Sequence, residues 1–152
     1  GSRAPGLVGA ALDTPDIFAG LIADDHHVHP ATIRAALAAK RGPGTIFLVT
    51  DAMATAGSDI TEFHLGGRRV LRQGGRLSLE DGTLAGADLD MPTALSVLID
   101  LVGASRETAF AMATSGPADL LNDAMGQGHL VPGTPWTGIR LDTDGRYDPD
   151  FS

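Results

Sequence analysis

The chain has 152 residues, of which 43% are hydrophobic and 5% aromatic, so it suits one ordinary domain with a core of Leu, Ile, Val and Ala. Its net charge of −8 argues against nucleic-acid or anionic-membrane binding, which needs a basic face, but is compatible with a small anionic substrate. The lack of cysteine excludes disulfides and cysteine zinc sites and is consistent with a cytoplasmic enzyme. The sequence shows no signal peptide and no apolar run of about 20 residues that could span a membrane.

The first half of the chain predicts a strand, a helix and a second strand. The apolar run at 18–23 (FAGLIA) indicates a buried strand, and residues 30–40 have the composition of a helix with a proline in its first turn. The β-branched run at 45–50 (TIFLVT) is typical of a parallel strand covered on both faces. Together these segments predict a βαβ unit.

Residues 62–79 depart from this alternation. They consist of short segments separated by glycine pairs at 66–67 and 74–75. Such spacing is typical of antiparallel hairpins. We therefore predict a β-hairpin excursion from the α/β pattern.

The second half of the chain predicts helices followed by turns. Residues 91–102 are apolar nearly all round, as in a buried helix. Further helices are expected at 105–114, with Ser105 as the N-cap, and at 117–122. The turn-rich remainder suggests a small β element at 139–142.

These elements predict an α/β fold. Two parallel strands are too few for a whole (β/α)8 barrel, which needs about 250 residues. We expect residues 1–125 to form the C-terminal part of a TIM barrel, with the 62–79 excursion, and residues 126–152 to form part of a small β domain.

Asp51 directly follows the strand predicted at 45–50. Active sites of parallel α/β folds form at the carboxyl ends of the strands. A carboxylate there can take a proton from a metal-bound water and pass it to a leaving group. Aspartate is equally common in turns, so position alone leaves both interpretations open.

Three histidines follow the first predicted strand, in the segment HHVH at 26–29. His27 and His29 would face the same side of an extended segment, as in an H-x-H metal pair. Too few residues follow for the seven further strand–helix units that such a pair would require. We therefore expect a single histidine to contact substrate, and a solvated loop position is an equal alternative for His26 and His29.

Two further features do not indicate a function by themselves. Arg3 near the start of the chain would ordinarily be solvated. The small residues at 83–87 could turn backbone N–H groups toward a ligand or simply form a turn before a helix.

Taken together, six segments resemble the N-acetylglucosamine-6-phosphate deacetylases of the amidohydrolase superfamily. They occur in the family's order and span nearly the whole chain, with matching spacing between Arg3 and Met91. The segments are RAPGLVGAAL (3–12), GLIADDHHVHP (20–30), LVTDAMATAG (48–57), DGTLAGADLDM (81–91), AMATSGPADLL (111–121) and GHLVPGTP (128–135).

The resemblance implies metal-dependent hydrolysis of the N-acetyl group of N-acetylglucosamine 6-phosphate, in amino-sugar catabolism. The products would be glucosamine 6-phosphate and acetate. By position, Asp51 matches the aspartate that acts as general base and then acid on a metal-bound water. His27 matches a histidine that contacts the substrate.

The resemblance also implies a phosphate site and a sugar site. Arg3 matches an arginine that holds the phosphate from the neighbouring subunit of a homodimer, a task suited to a bidentate guanidinium. Leu84, Ala85 and Gly86 match a backbone segment that lines the sugar site.

The chain departs from the family pattern in three places. Asp25 stands where the family usually has glycine, and residues 136–138 replace an Ala-Asp pair that would lead into a strand. The family's metal ligands, a glutamate and two histidines, lie on earlier strands, and no residue of this chain matches them. We expect the full-length enzyme to hold a divalent metal, most plausibly zinc, and this fragment not to hold it, although Asp51 could contact it. We also expect the isolated fragment to be inactive.

Two other functions remain open. A non-catalytic sugar-phosphate-binding or interaction module would keep Arg3, His27 and the 84–86 segment. Another amidohydrolase, such as a ring deaminase, is opposed by the phosphate-holding arginine and the LVTDAM context. In each case an incomplete barrel would expose strand edges and apolar surface, so we expect self-association or pairing with missing N-terminal residues.

Overall fold

The computed structural model describes residues 3–121, 127–135, 138–142 and 147–148, and within them it has an α/β fold with two separate sheets. The helices are α1 (Gly6–Asp13), α2 (Pro30–Ala39), α3 (Met91–Ser96), α4 (Arg106–Ala113) and α5 (Ser115–Leu121). The strands are β1 (Ala19–Leu21), β2 (Ile46–Leu48), β3 (Glu62–Leu65), β4 (Arg68–Gln73), β5 (Arg76–Leu79) and β6 (Leu84–Ala87).

β1 and β2 pair in parallel, with Ala19 opposite Ile46, and α2 connects them. Pro30 occupies the first turn of α2, where its missing N–H costs nothing. His29 caps this helix, because its Nδ1 accepts a hydrogen bond from the backbone N–H of Ala31 at 3.1 Å. The predicted strand–helix–strand unit is confirmed, although each strand is shorter than its apolar run.

One apolar core joins the parallel pair to the helices that follow it. Its members are aliphatic apart from one methionine, and no Phe or Tyr among the described residues is fully buried, as the composition predicts. Each large aliphatic side chain in such a core stabilises the fold by roughly 1.5–3 kcal/mol relative to exposure. The buried residues are Ala23, Ile33, Ile46, Leu48, Ala87, Leu89, Ala94, Leu95, Val97, Leu98, Val102, Ala109 and Met112.

The antiparallel sheet has the order β3-β4-β5-β6 and confirms the predicted hairpins. Both glycine pairs, at 66–67 and 74–75, have positive φ, which lets the two-residue turns follow the twist of the strands. The sheet buries a small apolar cluster of its own, formed by Val70, Leu77 and Leu79.

β6 corrects the expectation of a plain turn at 83–87. The turn instead ends at Thr83, whose carbonyl accepts a hydrogen bond from the N–H of Leu79 at 2.8 Å. Residues from Leu84 onward then pair with β5 through a bulge. Small residues were ambiguous here because a glycine-containing segment can form either an edge strand or a turn.

The helices of the second half begin near their predicted positions. Asp90 caps α3 by accepting from the N–H of Thr93 at 2.8 Å, and Ser105 caps α4 as expected. The predicted 91–102 helix is continuous but changes after α3 into a π-helical segment, Val97–Val102. α5 begins two residues earlier than predicted.

α1 was not predicted from the sequence. It contains two glycines, has no side-chain cap and buries none of its residues, so it offers little of the pattern that identifies a helix.

Beyond α5, the predicted small β element is represented by one antiparallel bridge between Leu141 and Tyr147. The altered 136–138 segment and the DTDG turn fall largely outside the described residues. The division at residue 125 stays a prediction. In the described part of the chain, no helix is long and apolar enough to cross a membrane.

Candidate functional site

The carboxyl ends of β1 and β2 lead into the two segments that carry the central candidate residues. Because the strands are parallel neighbours, these ends lie at the same edge of the sheet. His27 follows β1 and Asp51 follows β2, so the fold places both segments on one side of the molecule.

Asp24 organises the segment after β1. Its Oδ1 accepts hydrogen bonds from the backbone N–H groups of His26 at 2.9 Å and His27 at 2.8 Å. Its Oδ2 lies 2.7 Å from Nδ1 of His27. Since an ionised carboxylate can only accept, Nδ1 of His27 is the donor, and in the neutral imidazole Nε2 has a lone pair for another partner.

Two opposing effects act on the pKa of Asp24. Burial raises the pKa of this carboxyl, but the hydrogen bonds from the backbone and side chain of His27 and from the backbone of His26 lower it by more. The net pKa lies below its ordinary value, so Asp24 is ionised at neutral pH and holds the imidazole of His27 in one tautomer.

Asp25 adopts a left-handed backbone conformation with a φ of 62°. Glycine takes this conformation at no cost, whereas aspartate is among the few other residues that tolerate it. The turn that presents His27 is therefore formed with an aspartate at the position where the family pattern has glycine.

Asp51 also has a left-handed backbone, with a φ of 51°, and its side chain is exposed. Its carbonyl accepts a hydrogen bond from the N–H of Ala87 at 2.9 Å, and Ala52 forms a parallel bridge with Ala87. The end of β6 is thus docked on the residues that follow β2.

Gly86 fits closely into this junction. A Cβ at this position would lie 3.2 Å from the Asp51 carbonyl oxygen and 2.3 Å from Cγ of Met53, and its φ of 77° disfavours other residues. The structure therefore brings together two features singled out in the sequence, namely Asp51 and the 84–86 segment, although more than 30 positions separate them.

The other predicted site residues lie apart from this junction. Arg3 is exposed ahead of α1, and no ion pair joins it to another described residue. His29, expected in a loop, is the N-cap of α2 and uses its Nδ1 for that purpose.

For His26 the sequence left a substrate contact and a solvated loop position equally open. His26 lines a cleft of about 490 Å³ together with residues of the antiparallel sheet, among them Arg76 and Leu84. The sequence contained no signal for this arrangement, because His26 and Arg76 are 50 positions apart and belong to different elements.

The described residues do not fit a metal site. No three His, Asp or Glu side chains within them lie close enough together to hold a metal ion. Of the two candidates at the strand ends, His27 already shares its Nδ1 with Asp24. Any metal would need ligands from elsewhere.

No protein-family model matches the sequence. Among curated proteins, the chain is 40% identical over 147 residues to N-acetylgalactosamine-6-phosphate deacetylase of Shewanella sp. (strain ANA-3), covering 95% of this chain and 36% of that protein. It is 36% identical over 141 residues to a putative N-acetylgalactosamine-6-phosphate deacetylase of Escherichia coli (strain K12), and the match covers 93% of this chain and 83% of that protein. N-acetylglucosamine-6-phosphate deacetylase of Vibrio furnissii is 34% identical, and the match covers 93% of this chain and 35% of that protein.

Solved structures agree with these relatives. The crystal structure of N-acetylglucosamine-6-phosphate deacetylase from Pasteurella multocida matches with a TM-score of 0.88 at 31% identity, over 97% of this chain and 38% of that one. The N-acetylglucosamine-6-phosphate deacetylase of Thermotoga maritima matches with a TM-score of 0.83 at 28% identity, over 97% of this chain and 40% of that one. The chain therefore spans little more than a third of the Shewanella relative and of these structures, but most of the Escherichia coli strain K12 relative.

Proposed function

Because the chain belongs to the family of N-acetylgalactosamine- and N-acetylglucosamine-6-phosphate deacetylases, we propose that it supplies the proton-transferring and sugar-binding residues for hydrolysis of an N-acetylhexosamine 6-phosphate. The products are the hexosamine 6-phosphate and acetate. The observation that carries this proposal is the junction where Asp51 meets the 84–86 segment, held by the 2.9 Å hydrogen bond from Ala87.

In this proposal, the chain is a structural part of a larger catalytic domain. Residues 1–125 correspond to the C-terminal part of a TIM barrel, and residues 126–152 to part of a small β domain. The parallel pair β1–β2 supports this view, since it carries candidate residues at its carboxyl edge, where barrel enzymes form their sites.

Asp51 acts as the general base and then the general acid. Its exposed carboxylate, at the end of β2, takes a proton from the attacking water and returns it to the departing amine of the sugar. A divalent metal, zinc first, belongs to the full-length enzyme and would polarise the amide. Since the described residues do not fit a metal, its ligands would come from outside them.

His27 and the 84–86 segment position the sugar. Asp24 fixes Nδ1 of His27 at 2.7 Å, so the Nε2 lone pair can accept a hydrogen bond from a sugar hydroxyl. Gly86 lies beside Asp51, and Leu84, Ala85 and Gly86 form one wall of the site. Arg3, exposed at the start of the chain, reaches the phosphate bound by the neighbouring copy of a cytoplasmic homodimer.

The test is a deacetylation assay on two proteins. The first is the 152-residue chain with added Zn²⁺. The second is a chimera in which this chain replaces the matching segment of the Shewanella relative, with the unmodified relative as control. Acetate release is measured with N-acetylgalactosamine 6-phosphate and with its epimer N-acetylglucosamine 6-phosphate, because relatives of both names match the chain.

We expect the chimera to hydrolyse at least one epimer and the chain alone to hydrolyse neither. Turnover by the chain alone would contradict its dependence on other residues. A folded chimera without turnover would contradict the deacetylase proposal. If calorimetry then showed that the chain binds glucosamine 6-phosphate, the non-catalytic sugar-phosphate module would be favoured.

A further inference from the structure

Arg72, on β4, bonds the antiparallel sheet to two segments that adjoin the Asp51 junction. Its Nε donates to Oδ2 of Asp88 at 2.8 Å, and its Nη1 donates to the backbone carbonyl of Ser58 at 2.7 Å. Its backbone N–H donates to the carbonyl of Thr61 at 2.8 Å. One guanidinium is therefore held by the chain that follows β2 and by the residue that follows β6.

These bonds complete a closed ring of contacts. Asp88 is the direct neighbour of Ala87, whose N–H donates to the carbonyl of Asp51 at 2.9 Å. Ser58 lies at the end of the loop that leads away from Asp51. The chain from 51 to 58, the guanidinium of Arg72 and the 87–88 peptide thus form a ring that starts and ends at Asp51.

Asp51 is the member of this ring whose backbone needs support. Its φ of 51° lies in the left-handed region, which is unfavourable for a residue with a side chain and persists where the surrounding structure holds it. The backbone conformation also fixes where the Cα–Cβ bond points, and hence where the exposed carboxylate of Asp51 lies. Release of the ring would let this backbone relax and turn the carboxylate away.

The pair of Arg72 and Asp88 is more enclosed than another arginine pair of the same strand. The side chains of Arg72 and Asp88 are 32% and 13% exposed, whereas those of Arg69 and Glu62 are 44% and 47% exposed. Exposed ion pairs contribute little, but removing one partner of an enclosed pair leaves the other without its hydrogen bonds. Arg69 also contacts Glu80, directly after β5, so its two partners belong to the sheet side of the molecule.

We propose that Arg72 is a positioning residue, which sets the direction of the Asp51 carboxylate by tying the loop at 51–58 to the end of β6. This inference rests on the proposed role of Asp51 as the proton-transferring group. Arg72 acts only through the ring and touches no reacting atom. A displaced carboxylate transfers protons slowly but leaves the contacts to the sugar in place, so kcat should fall while KM changes little.

Three variants test this role. Arg72→Met removes every side-chain donor at a similar length. Arg72→Lys keeps the charge but concentrates it in one ammonium group, whereas the guanidinium uses two separate nitrogen atoms. Arg69→Met is the matched control, because it removes an arginine of the same strand whose ion-pair partners lie outside the 51–58 loop.

Amide hydrogen exchange, followed by NMR in the 152-residue chain, measures the ring without requiring activity. The reporter is the N–H of Ala87, which donates to Asp51. The N–H of Ala19, which donates to the carbonyl of Thr45 at the opposite end of the parallel pair, is the reference for general loss of stability.

Relative to Ala19, exchange at Ala87 should accelerate roughly tenfold or more in Arg72→Met, less in Arg72→Lys, and less than about twofold in Arg69→Met. No selective acceleration in Arg72→Met, or equal acceleration in Arg69→Met, overturns the proposal. If Arg72→Met does not fold, Arg72→Lys decides by the same comparison.

Acetate release by the chimera that carries each variant measures the effect on the reaction. In Arg72→Met, kcat should fall roughly tenfold or more with KM within about threefold, and Arg72→Lys should recover part of the loss. Both constants should stay within about twofold in Arg69→Met. In an active chimera, an unchanged kcat in Arg72→Met, or a KM that rises as much as kcat falls, overturns the proposal.

A chimera without turnover before any substitution contradicts the deacetylase proposal instead. The exchange rate at Ala87 then decides by itself whether Arg72 holds Asp51 in place, so the two failures are distinguished.

Discussion

The parallel pair and the antiparallel sheet draw their stability from different parts of the chain. β1 and β2 have three residues each, and β2 packs against helices α4 and α5, of which the nearer, α4, begins 58 positions after β2 ends. β3 to β6 are instead joined by tight turns and bury a cluster of only three residues, Val70, Leu77 and Leu79. The parallel pair is stabilised by contacts with residues far away in the sequence, whereas the antiparallel sheet is formed almost entirely by strands that follow one another in the sequence.

The candidate site lies where these two regions meet. Asp51 leaves the parallel pair and its carbonyl accepts a hydrogen bond from Ala87 at the end of the antiparallel sheet, while His26 lies close to the β4–β5 turn. A reacting group at such a boundary is positioned by both regions at once. The comparison therefore predicts that changes at the boundary affect chemistry, and changes within either region affect stability.

The largest expected effect follows the substitution Asp51→Asn in the chimera. Loss of the proton-accepting carboxylate should lower kcat by about 10²–10⁴-fold, the usual contribution of a general acid–base group. Because the side chain is exposed, the thermal unfolding midpoint should change little. Acetate release under saturating substrate measures the effect.

Asp59→Asn is the control for this experiment, since Asp59 is also an exposed aspartate and no described hydrogen bond or ion pair involves it. It should keep kcat within about twofold. Near-normal kcat in Asp51→Asn would remove Asp51 from the mechanism.

A smaller effect distinguishes the two regions by their cores. Leu98 and Leu77 are both fully buried, the first in the large core and the second in the small cluster. Leu98→Ala should lower the free energy of unfolding by about 3–5 kcal/mol, and Leu77→Ala by about 2–3 kcal/mol, because the smaller cluster can collapse more easily around a cavity. Urea denaturation followed by circular dichroism gives both values.

Hydrogen exchange adds the spatial test. Leu77→Ala should reduce amide protection mainly in β3 to β6, whereas Leu98→Ala should reduce it throughout the described chain. Equal and uniform losses in the two variants would show that the two regions unfold as one unit, against the distinction drawn above.

The smallest effect concerns pH and the turn after β1. Asp24 has a folded-state pKa below its ordinary value of 3.8, so its contribution to stability is present above that pH and is lost as the pH falls through the lower folded-state value. Asp24→Asn should destabilise the chain by about 1 kcal/mol at pH 7.

The difference between the original chain and Asp24→Asn should disappear as the pH is lowered through this window. Urea unfolding at pH 7, 4 and lower values measures it. A stability difference that does not change with pH would mean that the charge of Asp24 is not what holds His27.

The sequence by itself determined the features that depend on local chemistry. Pro30 in a first turn, Ser105 as a cap and the two glycine pairs identified helices and hairpins because each acts on its own few residues. The order of six motifs also identified the family, which the relatives confirm. The roles of Asp51, His27, Arg3 and the 84–86 segment remain predictions from that resemblance.

Only the tertiary structure decided how these pieces meet. It showed that β6 is a strand, that its end docks on Asp51, that His29 caps a helix, and that Arg76 shares a cleft with His26. Apart from the cap and the pairing of β6 with its sequence neighbour β5, these arrangements depend on contacts between residues far apart in the chain. Such contacts are set by how preformed elements pack, and local sequence patterns carry little information about that packing.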